Sequence, residues 1–271
     1  MVKVEDILRW LDAYAPFRYA ESWDNCGLLV GDPRASVGRV LVALDPSFVN
    51  VMEADQLGCQ CLVSHHPLIH HPLTTVRVDE FPGKIVAGAI RTGINLIAVH
   101  TNLDAASGGT NDELVRLLSL QSVEPLMADP EWTQEAHYGG MGRICLVSEP
   151  VDLETLAQRA RMALGEIAVR VVGDGKRLVH RVAVCTGSGA SLIEKVIQSG
   201  SDAYITGDIK YHDAQRAMEA GLALIDVGHF ASEQIIVHPL ASYIRSIALQ
   251  EHFPLEVFAA SEEQDPFWIS R

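Results

Sequence analysis

The sequence lacks the features that mark membrane-spanning, exported or nucleic-acid-binding chains. No apolar run within its 271 residues approaches the roughly 20 residues that are needed to cross a bilayer. The first residues form an amphipathic helical pattern instead of a signal peptide. The formal net charge of −14 disfavours a nucleic-acid partner, because an extended nucleic-acid surface needs clustered Lys and Arg. A small anionic substrate remains compatible with this charge, because a bound metal locally reverses the sign of the field.

The cysteines are few and form no recognisable framework. Their count of five is odd, and no CxxC spacing occurs. Cys59 and Cys61 alternate within a strand-like segment, which favours packing as small apolar side chains. Reduced thiols and the missing export signal together predict a cytoplasmic location. The glycine-rich segment at residues 139–142 lacks the Gly-Lys-Ser/Thr end of a P-loop and the GxGxxG of a dinucleotide fold. We interpret it as a turn that enters a strand.

An alternation of apolar strands, polar turns and helices runs through most of the chain. With 48% hydrophobic residues, the chain can bury a substantial core. Apolar runs lie at residues 40–44, 62–63 and 96–99, and each is followed by polar residues and then by a helical pattern. The same alternation begins again at residue 182. Continuous apolar strands separated by helices are typical of parallel sheets covered on both faces. The pattern predicts an α/β fold with two α/β domains whose mostly parallel sheets are covered by helices.

A change in composition over residues 123–143 indicates a domain boundary, because Pro, Trp and Gly become frequent there. We therefore predict a first α/β domain of residues 1–125 and 225–271, which would carry the metal site inferred below. Residues 126–224 would form the second α/β domain.

Ionisable side chains collect where the predicted strands end. The apolar run of residues 61–64 leads into His65 and His66, and Pro67 then breaks the strand, so both imidazoles can face one site. In such sheets ligands bind beyond the carboxyl ends of the strands, and we predict the metal site there. The ionisable residues at these ends are Asp45, His65, His66, His100, Asp104, Asp208, His212, His229 and Glu233.

Imidazoles and carboxylates without thiolate form a ligand set for divalent metal ions. His229 and Glu233 are spaced i, i+4 at a helix start, so both project from one face. The set exceeds what one zinc takes and fits two ions with bridging carboxylates. Zn, Mn, Fe and Ni all suit such ligands. Structural alternatives exist, since His229 can cap its helix, Glu233 can favour the first helical turn and Asp104 can form an Asx turn.

Five segments of the chain, in order, look like the signature blocks of one family. They are Trp23-Asp24-Asn25-Cys26-Gly27, Ser64-His65-His66-Pro67-Leu68-Ile69, His100-Thr101-Asn102-Leu103-Asp104, Asp202-Ala203-Tyr204-Ile205-Thr206-Gly207-Asp208 and Gly228-His229-Phe230-Ala231-Ser232-Glu233. The chain thereby resembles the YbgI-like dinuclear metal proteins, many of which are called GTP cyclohydrolase 1 type 2 homologues. The resemblance spans essentially the whole chain.

This resemblance implies a two-domain α/β protomer of the short bacterial form, without the domain that longer members carry as an insertion. It implies a toroidal homohexamer in which paired metals face an internal cavity. By position, the implied metal ligands are His65, His66, Asp104, His229 and Glu233. His100 matches a histidine beside the site, which either adds a ligand or transfers protons. His70 and His71 depart from the family pattern, and we place them at the rim or surface.

The implied activity is hydrolysis with two divalent metal ions per chain, which activate water. For a GTP cyclohydrolase the attacked atom is C8 of guanine, and hydrolysis opens the ring with release of formate. The small-molecule substrate, a nucleotide in this reading, would contact Asp208, Lys210 and His212. These three residues can equally be capping and surface residues. The alternative function is a non-enzymatic metal-binding scaffold whose hexamer recruits partners, which the missing nucleotide motif favours.

Overall fold

A computed structural model describes residues 1–129, 135 and 139–268 of the protein. Its strands are β1 (Val2–Lys3), β2 (Gly27–Val30), β3 (Ser36–Val37), β4 (Arg39–Ala43), β5 (Cys61–Ser64), β6 (Asn95–Ala98), β7 (Gln121–Met127), β8 (Met141–Asp152), β9 (Arg170–Val172), β10 (Leu178–Ser188), β11 (Ala203–Gly207), β12 (Ala223–Asp226) and β13 (Glu256–Ala259).

Helices alternate with these strands through most of the chain. The α-helices are α1 (Val4–Tyr14), α2 (Phe48–Gln56), α3 (Gly83–Thr92), α4 (Thr101–Ala105), α5 (Thr110–Leu117), α6 (Leu153–Ala163), α7 (Ile193–Gln198), α8 (Tyr211–Glu219), α9 (His229–Glu233) and α10 (Val237–Gln250). Short 3-10 turns cover Phe17–Tyr19, Ala190–Leu192 and Gln234–Ile236. No helix in the described parts of the chain is long and apolar enough to span a bilayer.

The chain divides into two compact units. Unit 1 contains Met1–Leu103 and Ile236–Gln264, and unit 2 contains Asp104–Ile235 with the chain end from Asp265. The sequence-based boundaries lie elsewhere, at 125/126 and 224/225. The difference has a physical reason: α5 and β7 pack on or pair with β8 and β10, and α9 packs on β10. Of the predicted boundary segment, residues 130–134 and 136–138 lie outside the described residues.

Unit 1 is built on a five-stranded sheet of order β13-β4-β5-β6-β2. The first four strands are parallel neighbours, and only β2 runs antiparallel to its neighbour β6. The interior strands β5 and β6 are buried along their whole length, as expected for apolar runs covered on both faces. Because the pairing is parallel, the carboxyl ends of β4, β5 and β6 lie at one edge of the sheet.

Helix α1 illustrates how the local sequence determines where a helix of unit 1 forms. Its buried side chains Val4, Ile7, Trp10 and Leu11 recur at helical spacing, so that one face is apolar. The carboxylate of Asp6 accepts a hydrogen bond of 2.9 Å from the main-chain N–H of Lys3, which satisfies an exposed donor at the helix start.

Unit 2 contains a six-stranded mixed sheet of order β7-β8-β10-β11-β12-β9. Strands β10, β11 and β12 are parallel, and antiparallel strands extend the sheet on both sides. One buried cluster, which includes Leu156 and Val182, covers one face, and a second cluster with Ile193 and Tyr204 covers the other. The predicted α/β class with helix-covered sheets is confirmed.

One predicted helix is divided in the structure. The sequence predicts a single helix over residues 230–247, whereas α9 ends at Glu233 and α10 begins at Val237 after a 3-10 turn. Pro239 lacks the N–H group that would donate a hydrogen bond to the preceding turn, which explains the break.

The buried strands of unit 1 generate a stability prediction. Leu62, in the middle of β5, is fully buried, and Leu62→Ala should lower the free energy of unfolding by about 2–5 kcal/mol through lost contacts and a residual cavity. The matched control is Leu249→Ala, because Leu249 lies in α10 of the same unit and is 75% exposed. Urea unfolding followed by circular dichroism compares the two, and equal losses would contradict the placement of Leu62 in the core.

Candidate metal centre

Three imidazoles come together at the carboxyl edge of the unit 1 sheet. His65 and His66 directly follow β5, and His100 lies two residues beyond β6. One ring nitrogen of each histidine lies within 4.8 Å of the other two. His65 is fully buried, whereas the side chains of His66 and His100 remain 21% and 17% exposed. Strand pairing thus places three potential metal ligands at the predicted edge of the sheet.

Each of these imidazoles contacts a protein oxygen through its Nδ1 atom. For His65 the partner is the carbonyl oxygen of Val99 at 2.9 Å. His66 Nδ1 lies 2.8 Å from Asp45 Oδ1, and His100 Nδ1 lies 2.9 Å from Asp24 Oδ1. A carbonyl or an ionised carboxylate can only accept, so Nδ1 must carry the proton and donate it. In a neutral ring the metal-binding lone pair is then on Nε2, as in most histidine metal ligands.

The adjacency of His65 and His66 depends on how β5 ends. His65 N and His66 N donate to the carbonyl oxygens of Ala43 and Leu44, so the pairing with the β4 side continues past the strand. The Ser64 hydroxyl donates a hydrogen bond of 2.8 Å to the carbonyl oxygen of His66, which draws the main chain into a turn. The two imidazoles therefore leave a turn and do not point to opposite faces of a strand.

Asp24 is a buried carboxylate that holds His100 in place. It also accepts hydrogen bonds from the main-chain N–H of Thr101 at 3.0 Å and from the Thr101 hydroxyl. Burial by itself raises the pKa of Asp24, but the hydrogen bonds from His100 and Thr101 outweigh it and hold this pKa well below its usual range. From the sequence Asp24 is equally a turn residue, and the Trp23–Gly27 block is the only signal that marks it.

An exposed indole lies beside this cluster in unit 1. Trp23 is 55% exposed, and its ring lies 6.3 Å from the His100 ring, edge-on, and 5.5 Å from the His70 ring. The turn that carries Trp23 is anchored by hydrogen bonds from Glu21 N to Thr101 Oγ1 at 2.9 Å and from Asn25 Nδ2 to the Ile69 carbonyl at 2.5 Å. His71, next to His70, is exposed.

In unit 2, the end of β12 leads into a histidine–glutamate pair. His229 and Glu233 lie on one face of α9, with His229 Nε2 2.9 Å from Glu233 Oε2. Asp208 Oδ2 accepts from His229 Nδ1 at 2.7 Å. His229 therefore has an oxygen beside Nδ1, as the unit 1 imidazoles have, and in addition a carboxylate beside Nε2.

Asp208 reaches His229 through an unusual main-chain conformation. It follows β11 with φ of 57°, a left-handed conformation that Asp tolerates better than most residues. The sequence-based role of Asp208 was contact with substrate, and the structure places its carboxylate on His229. Lys210 and His212, which have the same predicted role, are exposed, and His212 Nδ1 lies 3.1 Å from Gln215 Oε1.

Asp104 is fixed by its neighbours in unit 2. The Thr110 hydroxyl donates to Asp104 Oδ1, and the side-chain amide of Asn111 donates to the Asp104 carbonyl at 3.0 Å. Burial raises the pKa of the Cys185 thiol to about 12, and the charges of Asp104 and Glu233 add to this shift. Asp104 and Glu233 are themselves buried, at 7% and 4% exposure, as carboxylates that bind a cation often are.

The donor atoms of both units fit divalent metal ions. Neutral imidazoles with a fixed Nε2 and buried carboxylates suit Zn, Mn, Fe or Ni, and the described cysteines that lie near them are not needed as ligands. The predicted ligands His65 and His66 lie together in unit 1, and His229 and Glu233 lie together in unit 2. Sequence reasoning named Asp45 only among the ionisable strand-end residues and Asp24 only within a signature block, and it assigned no role to Val99. In the structure all three support the rings from outside the ligand set.

A glycine beside Glu233 provides a test of this arrangement. A Cβ atom at Gly187 would lie 2.0 Å from Glu233 Oε1, so Gly187→Ala must displace the carboxylate and should weaken Zn²⁺ or Mn²⁺ binding by about tenfold or more. Gly165→Ala is the matched control, because Gly165 also has a positive φ but a Cβ there would meet no atom within 4 Å. Isothermal titration calorimetry measures both affinities. An equal loss in the two variants would show that backbone strain alone is responsible.

Known proteins resemble this chain along most of its length. Two curated relatives are named GTP cyclohydrolase 1 type 2 homolog. The one from Streptomyces coelicolor is 37% identical over 98% of this chain and 94% of its own length. The one from Clostridium acetobutylicum is 33% identical over 86% of this chain and 85% of its own length.

Solved structures of similar proteins have the same fold as this chain. A hypothetical protein from Staphylococcus aureus superposes with a TM-score of 0.91 at 31% identity and covers 99% of both chains. The protein ybgI, at 24% identity, shares the fold with a TM-score of 0.83 over 97% of this chain and 99% of its own. Residues 2–266 match the family model described as Duf34/NIF3 (NGG1p interacting factor 3). The chain therefore belongs to the Duf34/NIF3 family, as the resemblance to YbgI-like proteins predicts.

Proposed function

We propose that this protein is a metal-dependent hydrolase with two divalent ions per chain. The observation that carries the proposal is the common support of the histidines: His65, His66, His100 and His229 each have Nδ1 within 2.9 Å of an oxygen acceptor. Histidines that bind metal characteristically donate their other ring N–H to a carboxylate or a main-chain carbonyl, and an acceptor of this kind lies beside Nδ1 of all four rings. The proposed ligands are His65, His66, Asp104, His229 and Glu233.

The carboxylates behind the rings have a chemical role in this proposal. Asp45 and Asp208 each accept a proton-bearing Nδ1, which makes Nε2 a stronger electron donor. His100 is held in the same way by Asp24, and we assign it proton transfer or an additional ligand position. When bound, a pair of divalent ions lowers the pKa of water and neutralises charge on the reacting oxygens.

We propose a nucleotide as the substrate and a GTP cyclohydrolase type of reaction. The relatives' name supports this choice. Within the chain, support comes from Trp23, whose exposed indole lies beside His100 on an anchored turn. A planar base can stack on such a ring, which contributes about 1–3 kcal/mol in base–aromatic contacts. One water would add at C8 of guanine and open the ring to a formamide, and a second water would hydrolyse the formamide and release formate. Contacts of Asp208, Lys210 and His212 with substrate, Lys210 on a phosphate, remain part of the proposal.

The assembly that we propose, a toroidal homohexamer, follows from the resemblance. The location that we propose is the cytoplasm, on the evidence of the cysteines. The five cysteines are all described, and none of them forms a disulfide, which supports a reducing compartment.

Glu233 provides the test of the hydrolase. Protein purified without chelators should hold close to two divalent ions per chain, and the loaded protein should turn over at least one substrate in a screen of nucleotides, phosphoesters and cyclic amides. Glu233→Gln should abolish this turnover and leave the circular dichroism spectrum unchanged, because it removes a buried ligand charge. Glu219→Gln, at the exposed end of α8, is the control and should retain activity. Turnover that survives Glu233→Gln would refute the mechanism, and bound metal without any turnover would favour the scaffold.

Trp23 tests the substrate class. Trp23→Ala should weaken GTP binding to the metal-loaded protein by about 5- to 150-fold, the equivalent of 1–3 kcal/mol, because the stacking surface is lost. Trp23→Phe should retain most of the affinity. Trp268→Ala is the control, since Trp268 is 82% exposed. Equilibrium dialysis with labelled GTP measures each variant, and an unchanged dissociation constant for Trp23→Ala would exclude the stacking role.

A further inference from the structure

The segment after β13 in unit 1 runs along β4 and the loop that follows β4. Ala260 N donates to the Val42 carbonyl at 2.8 Å, which continues the strand pairing by one step. Ser261 then bonds to Glu53 in α2, with its main-chain N–H at 3.0 Å and its hydroxyl at 2.8 Å from Oε1. The segment is thus tied to β4 and to α2 before it reaches Glu263.

Glu263 places its carboxylate on the loop between β4 and α2. Oε2 accepts from Leu44 N at 2.8 Å, and Oε1 accepts from Asp45 N at 2.8 Å and from Asn50 Nδ2 at 2.7 Å. Burial raises the pKa of Glu263, the charge of Asp45 adds to this effect, and the hydrogen bonds oppose it. A buried acid beside a second acid is unfavourable unless donors surround it, and here three do.

The same loop carries the acceptor of His66. Asp45 Oδ1 lies 2.8 Å from His66 Nδ1, and Asn50 Nδ2 also donates to the Asp45 carbonyl at 2.7 Å. Asp45 is therefore held at its N–H by Glu263 and at its carbonyl by Asn50. Its side chain in turn accepts a hydrogen bond from His66 Nδ1. A displacement of this loop would be transmitted to the His66 imidazole.

We infer that Glu263 is a positioning residue that fixes the orientation and tautomer of His66 through Asp45. The consequence for metal affinity rests on the proposed function, whereas the effect on the His66 ring does not. In Glu263→Gln one carboxylate oxygen becomes an NH2 group, so at least one of the donors of this loop, Leu44 N or Asp45 N, faces a donor in place of an acceptor, and the loop must move. Asp45 Oδ1 then no longer accepts from His66 Nδ1 in a fixed geometry, so the direction of the Nε2 lone pair is no longer fixed.

The first test uses the metal-free full chain. Two-dimensional NMR of ¹⁵N-labelled histidine reports the tautomer of each ring, and comparison with His66→Gln assigns the His66 signals. We expect the wild-type signals to show the Nδ1–H tautomer and Glu263→Gln to shift them towards a mixture of tautomers. Glu262→Gln is the matched control, because Glu262 is adjacent but exposed, and it should leave the signals unchanged. Identical His66 signals in the Glu263→Gln and wild-type proteins would overturn the inference, whether or not the protein binds metal.

The second test separates positioning from a general loss of stability. Zn²⁺ affinity is measured for Glu263→Gln, Asp45→Asn and the double variant. Outer-shell substitutions commonly weaken metal binding by about 10–100-fold, and we expect about 3–30-fold for Glu263→Gln because it acts one step further out. If Glu263 acts through Asp45, the double variant should lose less Zn²⁺ affinity than the sum of the two single losses.

Fully additive losses in this cycle would overturn the path through Asp45, since independent effects add. Wild-type protein that binds no Zn²⁺, Mn²⁺, Fe²⁺ or Ni²⁺ would instead refute the proposed function. In that case the NMR comparison alone decides whether Glu263 positions His66.

Discussion

The hydrogen bonds made by the imidazole Nδ1 atoms are the constraint on which the candidate metal ligands depend. An imidazole turns about two bonds and can carry its proton on either nitrogen, so an unsupported ring presents no fixed lone pair. In this protein a main-chain carbonyl holds His65, and carboxylates hold His66, His100 and His229. The ligand directions are therefore set within the protein itself, and such preorganisation lowers the cost of binding an ion.

These acceptors are in place because neighbouring parallel strands end together. In unit 1 the registers Val42↔Val63 and Val63↔Ile97 bring the ends of three strands level with one another. Beyond that point the main chain leaves the sheet, and polar groups can turn towards each other while the strand interiors remain apolar. In unit 2 the parallel neighbours β11 and β12 also end together, and beyond their ends Asp208 accepts a hydrogen bond from His229. The candidate metal ligands and their hydrogen-bond acceptors thus lie just beyond the strand ends, where strand pairing stops.

The sequence predicts the strands and the ligand types well, because both depend on local patterns. An apolar run that ends in His65-His66 and Pro67 marks a strand end without knowledge of its neighbours. The support of the rings is not predictable in this way, since Asp24 is 76 positions from His100 and looks like any turn residue. Glu263 is 218 positions from Asp45 and resembles its exposed neighbour Glu262. The sheet of unit 2 was predicted to be mostly parallel, but β7, β8 and β9 pair antiparallel, because pairing direction is decided by long-range contacts.

The carboxylates that lie next to the imidazoles have a consequence for the order in which ligands would bind. Asp24 and Asp45 add negative charge beside imidazoles of unit 1, and Asp208 and Glu233 add it beside His229 in unit 2. A phosphate-bearing molecule that approaches the metal-free protein, whose net charge is −14, therefore meets a repulsive field. Cations reverse that field only after they have bound. On the proposed function, a metal ion would therefore have to bind before an anionic ligand, and the supply of metal in the cell would control the recognition of that ligand.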